Sequence, residues 1–225
     1  MTAHPQQDTK QRLLDAAILH IPFEGMNDRA LAAAARDLGL PEDAGRVWFP
    51  RGGASIAAEI HRQGDAALAA WLADAPAGRI RDRITDAVWK RLDLADPELV
   101  RAAASVLALP QNSALGARLL WGTADTIWNG LGDRSRDVNW YSKRATLAGV
   151  YSAVVLYWLG DHSAGRADTR AFLERRIDDV MGIEKMKAQA RKIPGVEALT
   201  ALATGWIRAP GAAEDGPATA AEDAR

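Results

Sequence analysis

The stretch DRALAAAARDLGLPEDAGRVWFP, residues 28–50, decides how this chain folds. Its first part is almost all alanine and leucine, both strong helix formers. Asn27 in front can cap that helix and Gly39 behind can stop it. A tight turn follows at Leu40–Pro41, then a helix that has to be short because Pro50 ends it, and another helix starts near Ala54. Upstream, Thr9–His20 also reads as a helix. Elsewhere β-branched alternation is nearly absent and apolar residues recur at helical spacing, so the expected fold is all-α. Gly, Pro and capping Asp or Ser residues punctuate the chain often enough for roughly nine or ten helices of ordinary length.

Helix, helix, tight turn, short helix, long helix is the order found at the N-terminus of TetR-type transcriptional regulators. A DNA reader needs basic or polar side chains on the short helix and phosphate contacts around it. Here the stretch carries Glu42 and Asp43 against Arg46. Over residues 1–50 the basic residues are Lys10, Arg12, Arg29, Arg36 and Arg46, against Asp8, Asp15, Glu24, Asp28, Asp37, Glu42 and Asp43. The order of elements is present without the charge that holds nucleic acid. The expected organisation is a vestigial helix-turn-helix over 1–53, a helical bundle over 54–193, an amphipathic helix over 194–208 and a disordered tail over 209–225.

The net charge of −1 argues against a general nucleic-acid binder. The absence of cysteine excludes disulfides, thiolate metal sites and a cysteine nucleophile. The opening MTAHPQQDTK has neither a secretory h-region nor a transit peptide's Arg-rich character. The longest nearly apolar run, Ala145–Leu159, is about half a turn short of a spanning helix. No Glu-x-x-His pair or His-Glu-x-x-His helix is present, and His4, His20, His61 and His162 read as surface or helix-end residues. Gly53-Ala-Ser55-Ile-Ala57 is one residue away from a nucleophile elbow but follows no strand, so Ser55 reads as a helix cap. No catalytic residue, metal site or cofactor is expected.

Two features ask for more than core packing. Along SALGARLLWGTADTIWNGLGD, Leu120, Ala124, Ile127 and Leu131 make one stripe, and Trp121, Asp125 and Trp128 an adjacent one. On the next helix Trp140, Arg144, Leu147, Tyr151, Val154 and Trp158 follow the same spacing. These stripes are either core or the lining of an elongated apolar cavity between helices. Asp125 needs a partner in either case. The second feature is C-terminal. A basic run, Glu184–Lys192, and a Pro194–Gly195 break precede a helix that places Val196, Leu199, Leu202, Trp206 and Ile207 on one face. Such a helix lies in a membrane interface or docks on the body.

The segments LLWGTADTIWNGLGD (119–133), DVNWYSKRATLAGVYSAVVLYWL (137–159) and DTRAFLERRIDDVMGIEKMK (168–187) resemble the ninth Coq family, accessory proteins of coenzyme Q (ubiquinone) biosynthesis. Asn-Trp-Tyr-x-x-Arg-Ala at 139–145 and Phe-Leu-Glu-x-Arg at 172–176 are the most specific parts. The resemblance implies a homodimeric TetR-like fold without DNA binding. It also implies an apolar tunnel for an isoprenoid lipid or quinone precursor, which is presented to the di-iron demethoxyubiquinone hydroxylase. The tunnel would be lined by Leu120, Trp121, Ala124, Ile127, Trp128, Leu147, Tyr151, Val154 and Trp158. The partner surface maps onto Trp140 and Tyr141, with Asn139, Lys143 and Arg144 as a polar rim, and the C-terminal amphipathic helix would engage the membrane. With no transit peptide read, the expected place is the cytoplasmic face of a bacterial inner membrane. The competing reading is a ligand-responsive TetR-type regulator.

Overall fold

The computed structural model describes the backbone of residues 5–190 and the side chains of residues 8–182. The expected amphipathic helix at 194–208, with Val196, Leu199, Leu202, Trp206 and Ile207, and the tail at 209–225 lie outside the described residues. Nine α-helices are present among the described residues. They are α1 (Pro5–Glu24), α2 (Asp28–Asp37), α3 (Ala44–Trp48), α4 (Gly53–Ala73), α5 (Ile80–Asp93), α6 (Pro97–Leu107), α7 (Ser113–Gly130), α8 (Val138–Gly160) and α9 (Ala167–Ala190).

The stretch that opens the sequence reading folds as its residue types dictate. Asn27 caps α2 by accepting from the Arg29 N–H. At the other end Gly39 adopts φ 68°, its N–H bonds the Arg36 carbonyl, and Leu40 N–H bonds the Ala35 carbonyl at 2.8 Å. Two carbonyls that α2 would leave orphaned are thus satisfied. The start of α4 differs from expectation. Ser55 lies inside the first turn rather than at the cap, and its hydroxyl reaches back to accept from Arg51 N–H. Gly52 takes the cap position at φ 52°, and Gly53 presses against the chain, where a Cβ would stand 1.9 Å from the Met26 carbonyl oxygen. A glycine pair is needed because the α4 entry has no room for side chains.

Two apolar cores form, and α4 joins them. The N-terminal core gathers Leu13, Leu14, Ala17, Ile21, Leu31 and Phe49 around Ile56 and Ala57 of α4. The larger core gathers Val88, Ile127, Val154, Leu173 and others around Leu68 and Leu72 near the far end of the same helix. Twenty-one residues of α-helix span about 30 Å, so α4 is a spine between the two bodies. Arg81 of α5 holds Asp178 of α9 with two nitrogens at 2.5 and 2.8 Å, tying these two helices of the second body together.

Candidate functional site

The site is built on the α7–α8 pair. Asp137 caps α8 by accepting from the Asn139 N–H, and its other oxygen holds the Asn139 side chain at 2.8 Å. With the helix start fixed, Trp140 and Tyr141 meet edge to face, ring centroids 4.8 Å apart. Trp121, one α7 turn ahead of Asp125, lies 5.9 Å from Trp140 and 6.3 Å from Tyr141. Trp121 was expected among the tunnel-lining residues. The structure instead brings it to the Trp140–Tyr141 pair, making an aromatic shelf on which Tyr141 is 37% exposed.

Beneath the shelf lies a buried charge cluster. Arg144, expected as part of an exposed polar rim, is fully buried, so that expectation is corrected. Position 144 faces inward because it shares the face of Leu147 and Tyr151, and its charge is tolerated because each of its three nitrogens has an acceptor. Its Nε donates to Asp125 at 2.5 Å, Nη1 to Asp133 at 3.0 Å and Nη2 to Asn129 at 2.9 Å. Its guanidinium also lies 3.9 Å from the Trp140 ring centroid. Lys143 donates to Asp133 at 2.8 Å and to Ser135 at 2.7 Å, and stands 5.1 Å from the Trp128 ring. Burial alone would raise the Asp133 carboxyl, but hydrogen bonds from Lys143, Ser135 and Arg144 outweigh it and bring the group to about 2. Asp125 thus has the partner its place in an aromatic stripe required.

The remaining stripe residues fill space. Ala124, Ile127, Leu147, Tyr151, Val154 and Trp158 are buried in the larger core, with Leu120 and Trp128 packed against it. The α8 helix is not core all round from Ala145, because Leu156 is 65% and Tyr157 40% exposed. Tyr157 stacks flat on Phe172 of α9 at 4.5 Å. A cavity of about 220 Å³ does open in this half of the molecule, bounded by Trp71, Leu72, Trp89 and Leu131 among others. None of the nine expected lining positions touches it.

A second polar cluster was not anticipated. His61, in the middle of α4 and largely buried, is neither a surface nor a helix-end residue. Its Nε2 sits 2.8 Å from Thr123 Oγ1, and Thr123 donates to Asp65 at 2.9 Å. Arg91 donates to Asp65 at 2.8 Å and to the His61 carbonyl at 3.0 Å. A hydroxyl, an imidazole and a carboxylate meet here, yet a relay needs the acid and the nucleophile on opposite ring nitrogens. Here Asp65 and Thr123 both approach Nε2, and Thr123 has no exposed surface. Burial, the largest influence, lowers the His61 pKa, with Asp65 opposing it. The residues stand four apart on α4 (His61, Asp65), but Arg91 and Thr123 come from distant helices, so only the first pairing was readable from spacing. Among the described residues no group of three metal-ligating side chains comes together.

The helix-turn-helix carries its own electrostatic answer. Arg46 of α3 is held by Asp28 at 2.8 Å, Arg36 by Glu42 at 3.6 Å, and His20 by Asp37 at 2.6 Å. The exposed apolar residue of α3 is Val47, at 76%. Two of the cations that could meet phosphates, Arg36 and Arg46, are thus already paired with carboxylates of the same segment.

Fold and site together define an all-α protein with a TetR-like architecture and a shelf of aromatic side chains over a buried Arg–Asp cluster. The structure is similar to that of a TetR transcriptional regulator from Nitrosomonas europaea ATCC 19718, with a TM-score of 0.59, 16% identity, and coverage of 76% of this chain and 97% of that one. At that identity the likeness shows the fold alone. In sequence, residues 113–184, which hold the whole α7–α8 site, match the COQ9 family model. The chain is 32% identical over 197 residues to the ubiquinone biosynthesis protein COQ9, mitochondrial, of Rattus norvegicus, covering 83% of this chain and 63% of that protein. The Homo sapiens protein of the same name is 31% identical, with 83% and 62% covered. The family likeness read from the sequence is borne out: this chain is a relative of the COQ9 proteins, and it spans less than two thirds of the length of those it matches. No helix among the described residues is long and apolar enough to cross a membrane.

Proposed function

We propose that this chain is a non-catalytic accessory protein of ubiquinone biosynthesis. It binds isoprenoid quinone precursors as a homodimer at the cytoplasmic face of a bacterial inner membrane and presents them to the di-iron demethoxyubiquinone hydroxylase. The observation that carries the reading is the aromatic shelf. Trp121, Trp140 and Tyr141 lie within the segment matched to COQ9, and their rings are mutually packed before any partner arrives. Rigid aromatics that need little ordering on binding are the usual anchors of protein interfaces. The polar groups near the shelf are engaged with one another, which suits a support for an interface better than a reaction centre.

Tyr141→Ala tests this. The ring makes no contribution to either apolar core, so helicity and melting should stay near wild type. Capture of the purified hydroxylase should weaken by roughly thirtyfold or more, the range of an interface anchor. Unchanged capture would remove the shelf from the partner surface.

A further inference from the structure

The cavity at the C-terminal end of α4 takes no part in the site above. It is half open, about 220 Å³, and lies between Trp71 and Leu72 of α4 and one face of α5. Arg83, Asp86 and Lys90 recur on that face at spacings of three and four, so all three heads reach the same space. Trp71, Trp89, Leu72 and Leu131 supply its apolar walls.

The charges there do not cancel. Asp86 is already paired with Arg170 at 3.2 Å, whose guanidinium also lies 5.4 Å from the Trp89 ring. Among the described residues, the side chains of Arg83 and Lys90 have neither an ion pair nor a hydrogen bond. Arg83 Nε is the one buried side-chain polar atom among those residues left without a partner. A buried N–H on a charged group is costly to leave unmade, because desolvation is suffered with nothing returned. Two other buried cations among the described residues, Arg91 and Arg144, are each held by a carboxylate and further acceptors. The exception at Arg83 therefore points to an acceptor that comes from outside.

Size and walls narrow its chemistry. An apolar cavity of about 150 Å³ holds one benzene ring. A space of about 220 Å³ suits one ring with a small polar group and is too small for a long isoprenoid chain. We propose that this cavity binds a planar aromatic carboxylate, with its ring against the two indoles and its carboxylate on the Arg83 guanidinium and the Lys90 ammonium, an arrangement in which Arg83 turns its buried Nε toward the ligand. A guanidinium offers such a group directed, charge-assisted hydrogen bonds, and indoles favour flat rings over alkyl groups. The inference does not depend on the lipid-carrier reading, since the cavity shares no residue with the aromatic shelf.

The test is titration of the full chain by calorimetry and tryptophan fluorescence. Benzoate is the probe, and benzyl alcohol, acetate and inorganic phosphate are comparisons. Benzoate should bind saturably and quench tryptophan emission, while benzyl alcohol and acetate bind at least about tenfold more weakly. Arg83→Met should lower benzoate affinity by about tenfold or more with helicity unchanged, because Arg83 makes no internal bond to lose. If that variant loses helicity, Lys90→Met carries the same comparison. Equal binding of acetate or phosphate, benzoate affinity unaffected in both variants, or no saturable benzoate signal would each overturn the proposal. A further arm with 4-octylbenzoate separates sources. Tighter binding than benzoate marks the head of an amphiphile leaving through the open side, and weaker binding marks a small free acid.

Discussion

Arg144 shows how one side chain ties the surface site to the core. It is fully buried, bonded to Asp125, Asp133 and Asn129, and stacked under Trp140. Removing it leaves Asp133, whose side chain is only 3% exposed, with Lys143 as its remaining cation and takes the buried donor away from Asp125 and Asn129. Arg144→Met should therefore cost about 3–5 kcal/mol, read as a loss of stability in urea, and should also release Trp140. A change under 1 kcal/mol (roughly the worth of an exposed pair) would mean the cluster is not buried as described. Asp133 adds a pH dependence. Its folded pKa, about 2, lies below the ordinary value near 3.9, so its contribution is complete above about pH 4 and is lost as pH falls through about 2. The sign is a loss in acid. Across that window wild type should lose about 2 kcal/mol more than Asp133→Asn does, and parallel melting curves for the two would contradict the assignment.

At the scale of the element, α8 is a helix with three jobs set by position. Its first turn, capped by Asp137, presents the aromatic pair, and its inward face of Arg144, Leu147, Tyr151, Val154 and Trp158 builds the larger core. Its outer face leaves Leu156 and Tyr157 uncovered beside Phe172 of α9. That face is where we place the proposed homodimer contact. Leu156→Glu should convert a dimer to a monomer by light scattering without loss of helicity, and an unchanged mass would move the contact elsewhere. Much of this helix was legible in sequence. The cap, the 3.6-residue spacing and the aromatic pair are local signals, and so were Asn27 and Gly39 around α2. The spacing put Arg144 on the inward stripe, but its full burial was not legible, because that depends on carboxylates of α7 and the following turn arriving to meet it. Trp121 shows the same limit: its spacing places it on a stripe of α7, but its ring neighbours come from α8. Arg83 and Trp71 of the cavity are 12 residues apart on different helices and carry no shared pattern at all.

The whole molecule has two cores on one spine, α4, with a helix-turn-helix in which Arg36 and Arg46 are held by carboxylates of the same segment. A DNA reader relies on basic side chains at the short helix, and there acidic residues outnumber Arg46 and hold it through Asp28. What the frame offers instead is the aromatic shelf on a bundle. In the proposed function the molecule serves a lipid rather than DNA. The most direct test is native mass spectrometry of the purified full chain, with lipid extraction and a parallel gel shift on DNA upstream of its own gene. The expected result is a dimer that releases an isoprenoid lipid and leaves the DNA unshifted. A lipid-free dimer that binds that DNA specifically, with affinity falling steeply as salt rises, would contradict it.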